Sequence, residues 1–416
     1  MKELQIELIA VGDEILIGHT LDTNSHWIAN LLSEAGLRIR WMSAVGDDAN
    51  DMRHLLRHAW NRADVVLITG GLGPTPDDIT RPTLARFFDD ELIERLDLRA
   101  LIHDRFEARG LPLPYGCEIM AQFPSRAQPI LNREGSAPGI HYSEEGRELF
   151  SMPGVPSEMR EMMTEYVLPR LRQRAQGVYC FHLLKTIGIW ESQLYQIIGE
   201  TEALAPVQLA YLPSIDHGVT LRLSLAGTDE AAVKDELNRK VNLLRHKIAP
   251  HVFCEDTRSI DEVLLQMLRE RGERLAAAES CTGGLLCHRL VSIPGSSDVL
   301  DRGFVTYSNQ SKIDLLGVRA ETLARWGAVS EETAAEMAEG ARRAAGVEHA
   351  LSVTGIAGPS GGTAEKPVGL VYVGYSGPGG AVVESRRFSG SRDANRRRSA
   401  AAALTLLWRQ IKDLSA

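Results

Sequence analysis

Residues 63–78 read ADVVLITGGLGPTPDD. Val65–Thr69 is a short apolar, β-branched run of the kind that forms a strand buried on both faces. It ends in Gly70 and Gly71, and a turn through Gly73, Pro74, Thr75 and Pro76 leads to Asp77 and Asp78. The stretch ITRPTLARFF (79–88) then reads as a helix. A strand that ends in glycines ahead of a helix belongs to a doubly wound, mostly parallel sheet. Ligands bind such sheets beyond the C-terminal ends of their strands.

The neighbouring segments agree. Residues 4–11 (LQIELIAV) predict a first strand, and 22–35 a helix with Asp22 or Thr23 as N-cap and Gly36 closing it. A strand is predicted at about 37–44 and a helix at 50–62. Residues 110–155 are rich in Pro and Gly, and Ser157–Glu158 reads as the start of another helix. The texture changes over 178–254: a helix at 191–201, strands at 208–214 and 218–227, and a helix at 229–248. From 259 a helix leads into a second alternating region: RLAAAES (274–280), a helix over CTGGLLCHRLVS (281–292), ALSVTGIAG (350–358) and GLVYVGYSG (369–377). An Ala-rich helix near 392–411 ends it. The expected class is α/β: two separate α/β domains with mostly parallel sheets, 1–171 and 256–416, joined by a small α+β module, 172–255.

A chain of 416 residues suggests two to three domains, and 44% hydrophobic with 24% charged residues is ordinary for globular protein. The 46 Lys+Arg against 55 Asp+Glu leave a net charge of -9, which argues against a general nucleic-acid or anionic-membrane binder. Cys117, Cys180, Cys254, Cys281 and Cys287 form no C-x-x-C pair and read as free thiols of a reducing compartment. The N-terminal stretch carries Glu7 within its apolar run and lacks the signal-peptide pattern. No apolar run approaches the ~20 residues of a membrane span. The expectation is a soluble cytoplasmic protein. Lysine is scarce: Lys2 is the only one before residue 170, and Lys312, Lys366 and Lys412 are the only three after 260. Codon bias accounts for this simply, but a lysine that serves as a base cannot be exchanged for arginine, which does not lose its proton.

The strand RLAAAES delivers Ser280 to a turn. A serine between a strand end and a helix start faces unpaired backbone N–H groups, and these can stabilise an oxyanion during acyl transfer. The sequence A-E-S-C-T-G is not the G-x-S-x-G elbow. His288, about two helical turns on, and His349, expected on a surface loop, are poor candidates for its base. Lys312, five residues after Tyr307 in FVTYSNQSK, is the better candidate. Spacing alone reads Lys312 first as an exposed loop lysine and Tyr307 as a packed ring. Burial would lower the lysine's pKa and make it a base. In SVTGIAGPSGG, Thr354, Gly355 and Gly358 begin a glycine loop that could approach a phosphate, and Arg392 could donate two bonds to one or simply be a solvated helix start.

In the N-terminal half, Gly12, Asp13, Glu14 and Gly18 follow the first strand, and Asp22, Thr23 and Asn24 follow them. The Gly70–Thr75 turn offers backbone N–H groups and a hydroxyl to a phosphate. Asp77 and Asp78 supply hard oxygen ligands for a divalent cation, and both could also cap the following helix. With no lysine nearby, a pyrophosphate would be met by metal, backbone dipoles or arginines such as Arg81.

These motifs carry a resemblance. AESCTGG, RGFVTYSNQSK, TGIAGPSGG, EKPVG and FSGSR resemble, in order, the nicotinamide-nucleotide amidase domain of the CinA family over about 259–411. The resemblance implies hydrolysis of nicotinamide mononucleotide to nicotinic acid mononucleotide and ammonia, without a cofactor. It casts Ser280 as nucleophile, Lys312 as base and Tyr307 as relaying or orienting hydroxyl. Thr282, Gly283, Gly284, Thr354, Gly355, Gly358 and Arg392 would then bind substrate.

The turn at 70–78, SAPGI (136–140) and MPGVPSEM (152–159) resemble the molybdopterin-binding-like domain of the same family over about 4–170. This implies metal-dependent cleavage of ADP-ribose to AMP and ribose 5-phosphate. The substrate positions would be Gly12, Glu14, Asn24, Gly70, Gly71, Gly73, Thr75, Gly139, Pro153 and Gly154, with Asp77 and Asp78 on the metal. Asp13 and Pro76 depart from the family's commoner residues. TIGIWES (186–192) resembles the family's KH-like module, but 178–254 holds no GXXG loop, so it reads as a structural connector. A homodimer is implied by the resemblance alone. A different class stands beside this reading: an accessory protein of competence or damage response whose N-terminal half binds a pterin or nucleotide without turnover.

Overall fold

A computed structural model describes residues 4–108, 110–114, 116–175 and 177–413; Lys2 lies outside them. The chain divides into two compact units, Met1–Cys180 with Leu225–Asp235, and Phe181–Ser224 with Glu236–Ala416. Residues of the expected connector, 172–255, fall in both units.

The first unit holds strands β1 (Ile6–Val11), β2 (Ile39–Val45), β3 (Val65–Thr69), β4 (Leu92–Glu94), β5 (Gln122–Pro124), β6 (Gln128–Ile130), β7 (Gly139–Glu144) and β8 (Arg147–Met152). Six of them form a sheet in the order β2-β1-β3-β8-β7-β6, and β4 pairs with β5. The pairs β1–β2, β1–β3 and β3–β8 are parallel. Side chains alternate between two cores. Leu8, Val65 and Leu67 pack with Ile28, Leu32 and Met159, whereas Ile9, Val66 and Ile68 pack with Met52, Leu56 and Leu84. Burial on both faces explains the unbroken apolar runs. Glu7 is the exception: fully buried, it accepts from Arg62 at 2.7 and 2.6 Å and from Ser43 at 3.1 Å.

Strands β9 (Val178–Thr186), β10 (Gln208–Pro213), β11 (Val219–Gly227) and β12 (Val252–Cys254) form a four-stranded sheet in the order β10-β11-β9-β12. The second unit also holds β13 (Leu275–Glu279), β14 (Leu300–Val305), β15 (His349–Gly355), β16 (Leu370–Gly377) and β17 (Gly380–Arg387). Their order is β14-β13-β15-β16-β17. Strand β13 runs parallel to both neighbours, and β15–β16 and β16–β17 are antiparallel.

Three local expectations need correction. The helix predicted over 281–292 begins only at Leu285, because Gly283 (φ 58°) and Gly284 (φ 92°) hold a left-handed turn. His349 is not on a surface loop. It opens β15 fully buried, with Nδ1 2.9 Å from the Tyr375 hydroxyl and Nε2 3.0 Å from Glu273. Asp77 and Asp78 do not cap the next helix, which runs Thr80–Phe87 behind Ile79 with no side-chain cap. Among the described residues no helix is long and apolar enough to cross a membrane. All five cysteines are free thiols.

Candidate active sites

Ser280 stands where the second unit's sheet reverses direction, just past β13. Its N–H donates to the Val353 carbonyl of β15 at 2.9 Å, and Thr306 beyond β14 donates to the Glu279 carbonyl at 2.8 Å. The serine is thus held from both flanks at the point where a doubly wound sheet opens a crevice. Glu279 is fully buried, and its two carboxylate oxygens accept from Leu286 at 3.0 Å and Cys287 at 2.8 Å. The free N–H groups of helix Leu285–Val291 therefore go to Glu279, not to a ligand as the sequence suggested. Among the described residues the Thr282 N–H has no backbone acceptor, and the Cys281 N–H meets only its own thiol. They are the donors left for an oxyanion.

Helix Asn309–Leu316, capped by the Ser308 hydroxyl, brings Lys312 to the serine. Lys312 is fully buried and makes no ion pair among the described residues. Its Nζ lies 3.1 Å from Ser280 Oγ, 2.8 Å from the Thr306 carbonyl and 3.5 Å from the Ser308 carbonyl. Burial holds its pKa below the ordinary amine value. A neutral amine has two N–H groups and one lone pair. The charged amine donates to all three oxygens; in the neutral form its two N–H groups can stay on the carbonyls, with the lone pair toward the Ser280 hydroxyl. The adjacent Cys281 thiol is pushed up to about 12 by burial, so it stays protonated and does not compete as nucleophile.

The remaining C-terminal candidates are near but differently used. The exposed Tyr307 accepts from Arg392 Nη2 at 3.1 Å, while Arg392 Nη1 donates to the Gly358 carbonyl at 2.7 Å. No hydrogen bond joins Tyr307 to Ser280 or Lys312 among the described residues. Thr354 is fully buried and its hydroxyl donates to the Ala328 carbonyl at 2.6 Å, so its side chain fastens a loop. Gly355 packs against Leu370 and Val371. Sequence reasoning missed Glu279 and Arg396. Arg396 donates to the Thr282 carbonyl from Nε at 3.2 Å and Nη2 at 2.7 Å and so braces the serine turn. The signal for Glu279 was a carboxylate ending an apolar strand, which burial obliges to find partners.

In the first unit, the loops after four parallel strands converge. Gly12 N–H donates to the Val45 carbonyl and Gly70 N–H to the Met152 carbonyl, each at 3.0 Å. A Cβ on Gly70 (φ 112°) would lie 2.2 Å from the Val11 carbonyl oxygen, so β1 and β3 approach this closely only with glycine there. Asn24 Nδ2 donates to the Gly154 carbonyl at 2.7 Å and to Thr69 Oγ1 at 3.2 Å, and Thr69 donates on to the Pro153 carbonyl at 3.1 Å. Gly139 opens β7 against the Ser151 carbonyl. The Asp13 N–H donates to the Asp47 carboxylate at 3.0 Å and the Asp47 N–H to the Asp13 carboxylate at 3.2 Å, which ties the end of β1 to the end of β2. Burial holds the Asp47 carboxyl above its usual range, with Asp13, Glu14 and Asp77 adding like charge.

Two N-terminal expectations change. Arg81 is buried and donates to the Leu72 carbonyl at 3.0 Å and toward the Gly73 carbonyl at 3.5 Å, so it braces the turn and is not offered to a phosphate. Asp78 accepts from the Thr75 N–H at 2.8 Å and the Thr75 hydroxyl at 2.5 Å. Among the described residues no three His, Cys, Asp or Glu side chains could hold a metal by themselves. The acidic groups around Asp77 and Asp78 fit a cation held jointly with substrate phosphate oxygens, as magnesium often is, and do not fit a resident ion.

Residues 257–411 match the family model described as CinA C-terminal domain, 7–173 that of a probable molybdopterin binding domain, and 182–254 that of the damage-inducible protein CinA KH domain. The chain is 37% identical to a putative competence-damage inducible protein of Caldicellulosiruptor saccharolyticus, over 98% of this chain and 99% of that one. It is 38% identical to a CinA-like protein of Cytophaga hutchinsonii over 98% of each. A solved structure of a competence/damage inducible protein from Agrobacterium tumefaciens is 42% identical over 38% of this chain and 98% of its own, with a TM-score of 0.35.

Proposed function

The chain belongs to the CinA family, and we propose that it is a two-activity nucleotide hydrolase of NAD recycling. Its C-terminal site deamidates nicotinamide mononucleotide. The observation that carries this reading is the buried Lys312 Nζ at 3.1 Å from Ser280 Oγ. Lys312 accepts the hydroxyl proton as Oγ bonds to the carboxamide carbon. The oxygen that gains charge accepts from the Cys281 and Thr282 N–H groups. The C–N bond breaks, the proton passes from Lys312 to the leaving nitrogen, and ammonia departs. Water then adds to the Ser280 ester with Lys312 again as base, and nicotinic acid mononucleotide leaves. Each step balances without metal or redox partner. Arg392, tied to Gly358 and Tyr307, stands ready to meet the nucleotide phosphate.

The N-terminal site cleaves ADP-ribose to AMP and ribose 5-phosphate. The turn after β3 offers a pyrophosphate the Gly71 and Gly73 N–H groups, which have no backbone acceptor among the described residues, and Asp77 and Asp78 would hold a divalent cation together with it. Such a cation would supply charge neutralisation for the leaving phosphate. A second reading is binding of a pterin or nucleotide without turnover. Incubation with ADP-ribose and a divalent metal, with and without chelator, decides between them. AMP that appears only with metal supports cleavage, and no AMP with any metal leaves the binding role. Ammonia released from nicotinamide mononucleotide in chelator tests the C-terminal half separately, and its absence refutes the amidase.

A further inference from the structure

We propose that Asp216, on the turn between β10 and β11, is a positioning residue for the Ser280 site, so that the middle module works as a clamp on the amidase and not only as a connector. The inference rests on the amidase reading of that site. The turn is itself fixed: Asp216 N–H donates to Ser214 Oγ at 3.2 Å and Ser214 N–H to the Gly218 carbonyl at 2.6 Å. From it the Asp216 carboxylate accepts two bonds from Arg397, Nη2 at 2.7 Å and Nε at 3.3 Å. The Asp216 carbonyl accepts from Arg289 Nη2 at 3.1 Å, and Arg289 Nη1 stands 4.0 Å from its carboxylate. Arg289 also forms a fork on Asp261 at 3.0 and 2.7 Å, and only 13% of its side chain is exposed.

These two arginines sit on the two helices that frame the catalytic turn. Arg289 is on helix Leu285–Val291, whose N-terminal amides are held by Glu279 directly beside Ser280. Arg397 is on helix Arg392–Asp413, next to Arg396, which braces the Thr282 carbonyl, and one and a half turns or so from Arg392. One residue outside the five-stranded sheet thus fixes both supports of the oxyanion donors. Local burial at Ser280 does not require this link, because Asp216 and Arg397 are each about 40% exposed. A half-exposed pair adds little to stability. Its value lies in orientation, where small misplacements cost rate steeply.

The test is a double-mutant cycle in the full chain. Asp216→Ala, Arg397→Ala and the double variant are compared with wild type for kcat and KM of ammonia release from nicotinamide mononucleotide, and for Tm. Each single variant is expected to lose about tenfold in kcat with Tm nearly unchanged, and the double variant to be no worse than the worse single. An unchanged kcat in the singles, or losses that multiply in the double, overturns the clamp. If Asp216→Ala fails to fold, Arg397→Ala carries the same comparison. The rate at which a fluorophosphonate modifies Ser280 is measured alongside, since it reads the Ser280–Lys312 geometry whatever the substrate. Wild type that is labelled but releases no ammonia fails the amidase reading alone. Equal labelling rates in wild type and both single variants fail the clamp.

Discussion

The two candidate sites use the same architectural position for opposite chemistry. Each lies beyond the C-terminal ends of parallel strands, and each uses glycines for a close turn. At Ser280 the turn is dry: the nucleophile, the amine and the capping carboxylate Glu279 are all buried. At Asp77 and Asp78 the turn is wet and acidic, and its one arginine is spent on the turn's own carbonyls. A lysine must lose its solvation to be neutral, so amide hydrolysis by Ser–Lys needs a preassembled pocket. Phosphate chemistry needs charge that metal and substrate can bring with them. The contrast between an assembled and an unassembled site follows from that difference.

The strongest way to break the contrast is at the dry site. Ser280→Ala should lower ammonia release at least ~10⁴-fold, measured with nicotinamide mononucleotide, and leave AMP formation from ADP-ribose intact. Lys312→Arg should lose ~10²–10⁴-fold, nearly as much as Lys312→Ala, since arginine keeps the charge and cannot act as base. An active Lys312→Arg variant would reduce Lys312 to an electrostatic contact. At the wet site, Asp77→Asn with Asp78→Asn should lower AMP formation at least ~10-fold and raise the metal concentration needed for half activity, with ammonia release unchanged.

The pH profile sharpens the same contrast. The neutral form of Lys312 grows as pH rises through its lowered pKa, so kcat/KM for ammonia release should climb with pH and level off below the ordinary amine value of 10.5. A rise that continues up to that value would place Lys312 in water. The sign for stability follows from the same shift. The unfolded chain binds this proton more tightly, so folding stability gains as pH rises from the lowered value to the ordinary one. The smallest effect is expected from Gly284→Ala, which puts a side chain at φ 92° and should cost about 1–2 kcal/mol in unfolding free energy.

Much of this was legible in the sequence. The alternating strands and helices of both halves, and the glycine turns that end β1 and β3, follow from pattern alone. So did the pairing of Ser280 with Lys312 as a candidate, although spacing could not say that Lys312 is buried. What escaped were partners set by tertiary packing. Glu279, Arg81 and Arg396 look alike as charged residues near a site. Only the fold shows that all three brace turns and that none faces a ligand. His349 looked exposed because a strand that opens on histidine resembles a loop end, and its partners Tyr375 and Glu273 lie 26 and 76 residues away. The connector expected at 172–255 was drawn from a change of sequence texture, and the KH family model falls on 182–254 inside those bounds.

The central claim is a covalent intermediate on Ser280, and mass spectrometry of protein quenched during turnover of nicotinamide mononucleotide tests it most directly. The account predicts an added mass equal to the substrate less ammonia, confined to the peptide that contains Ser280 and absent from Ser280→Ala. Rapid turnover with no adduct on that peptide, and undiminished ammonia release by Ser280→Ala, would contradict it.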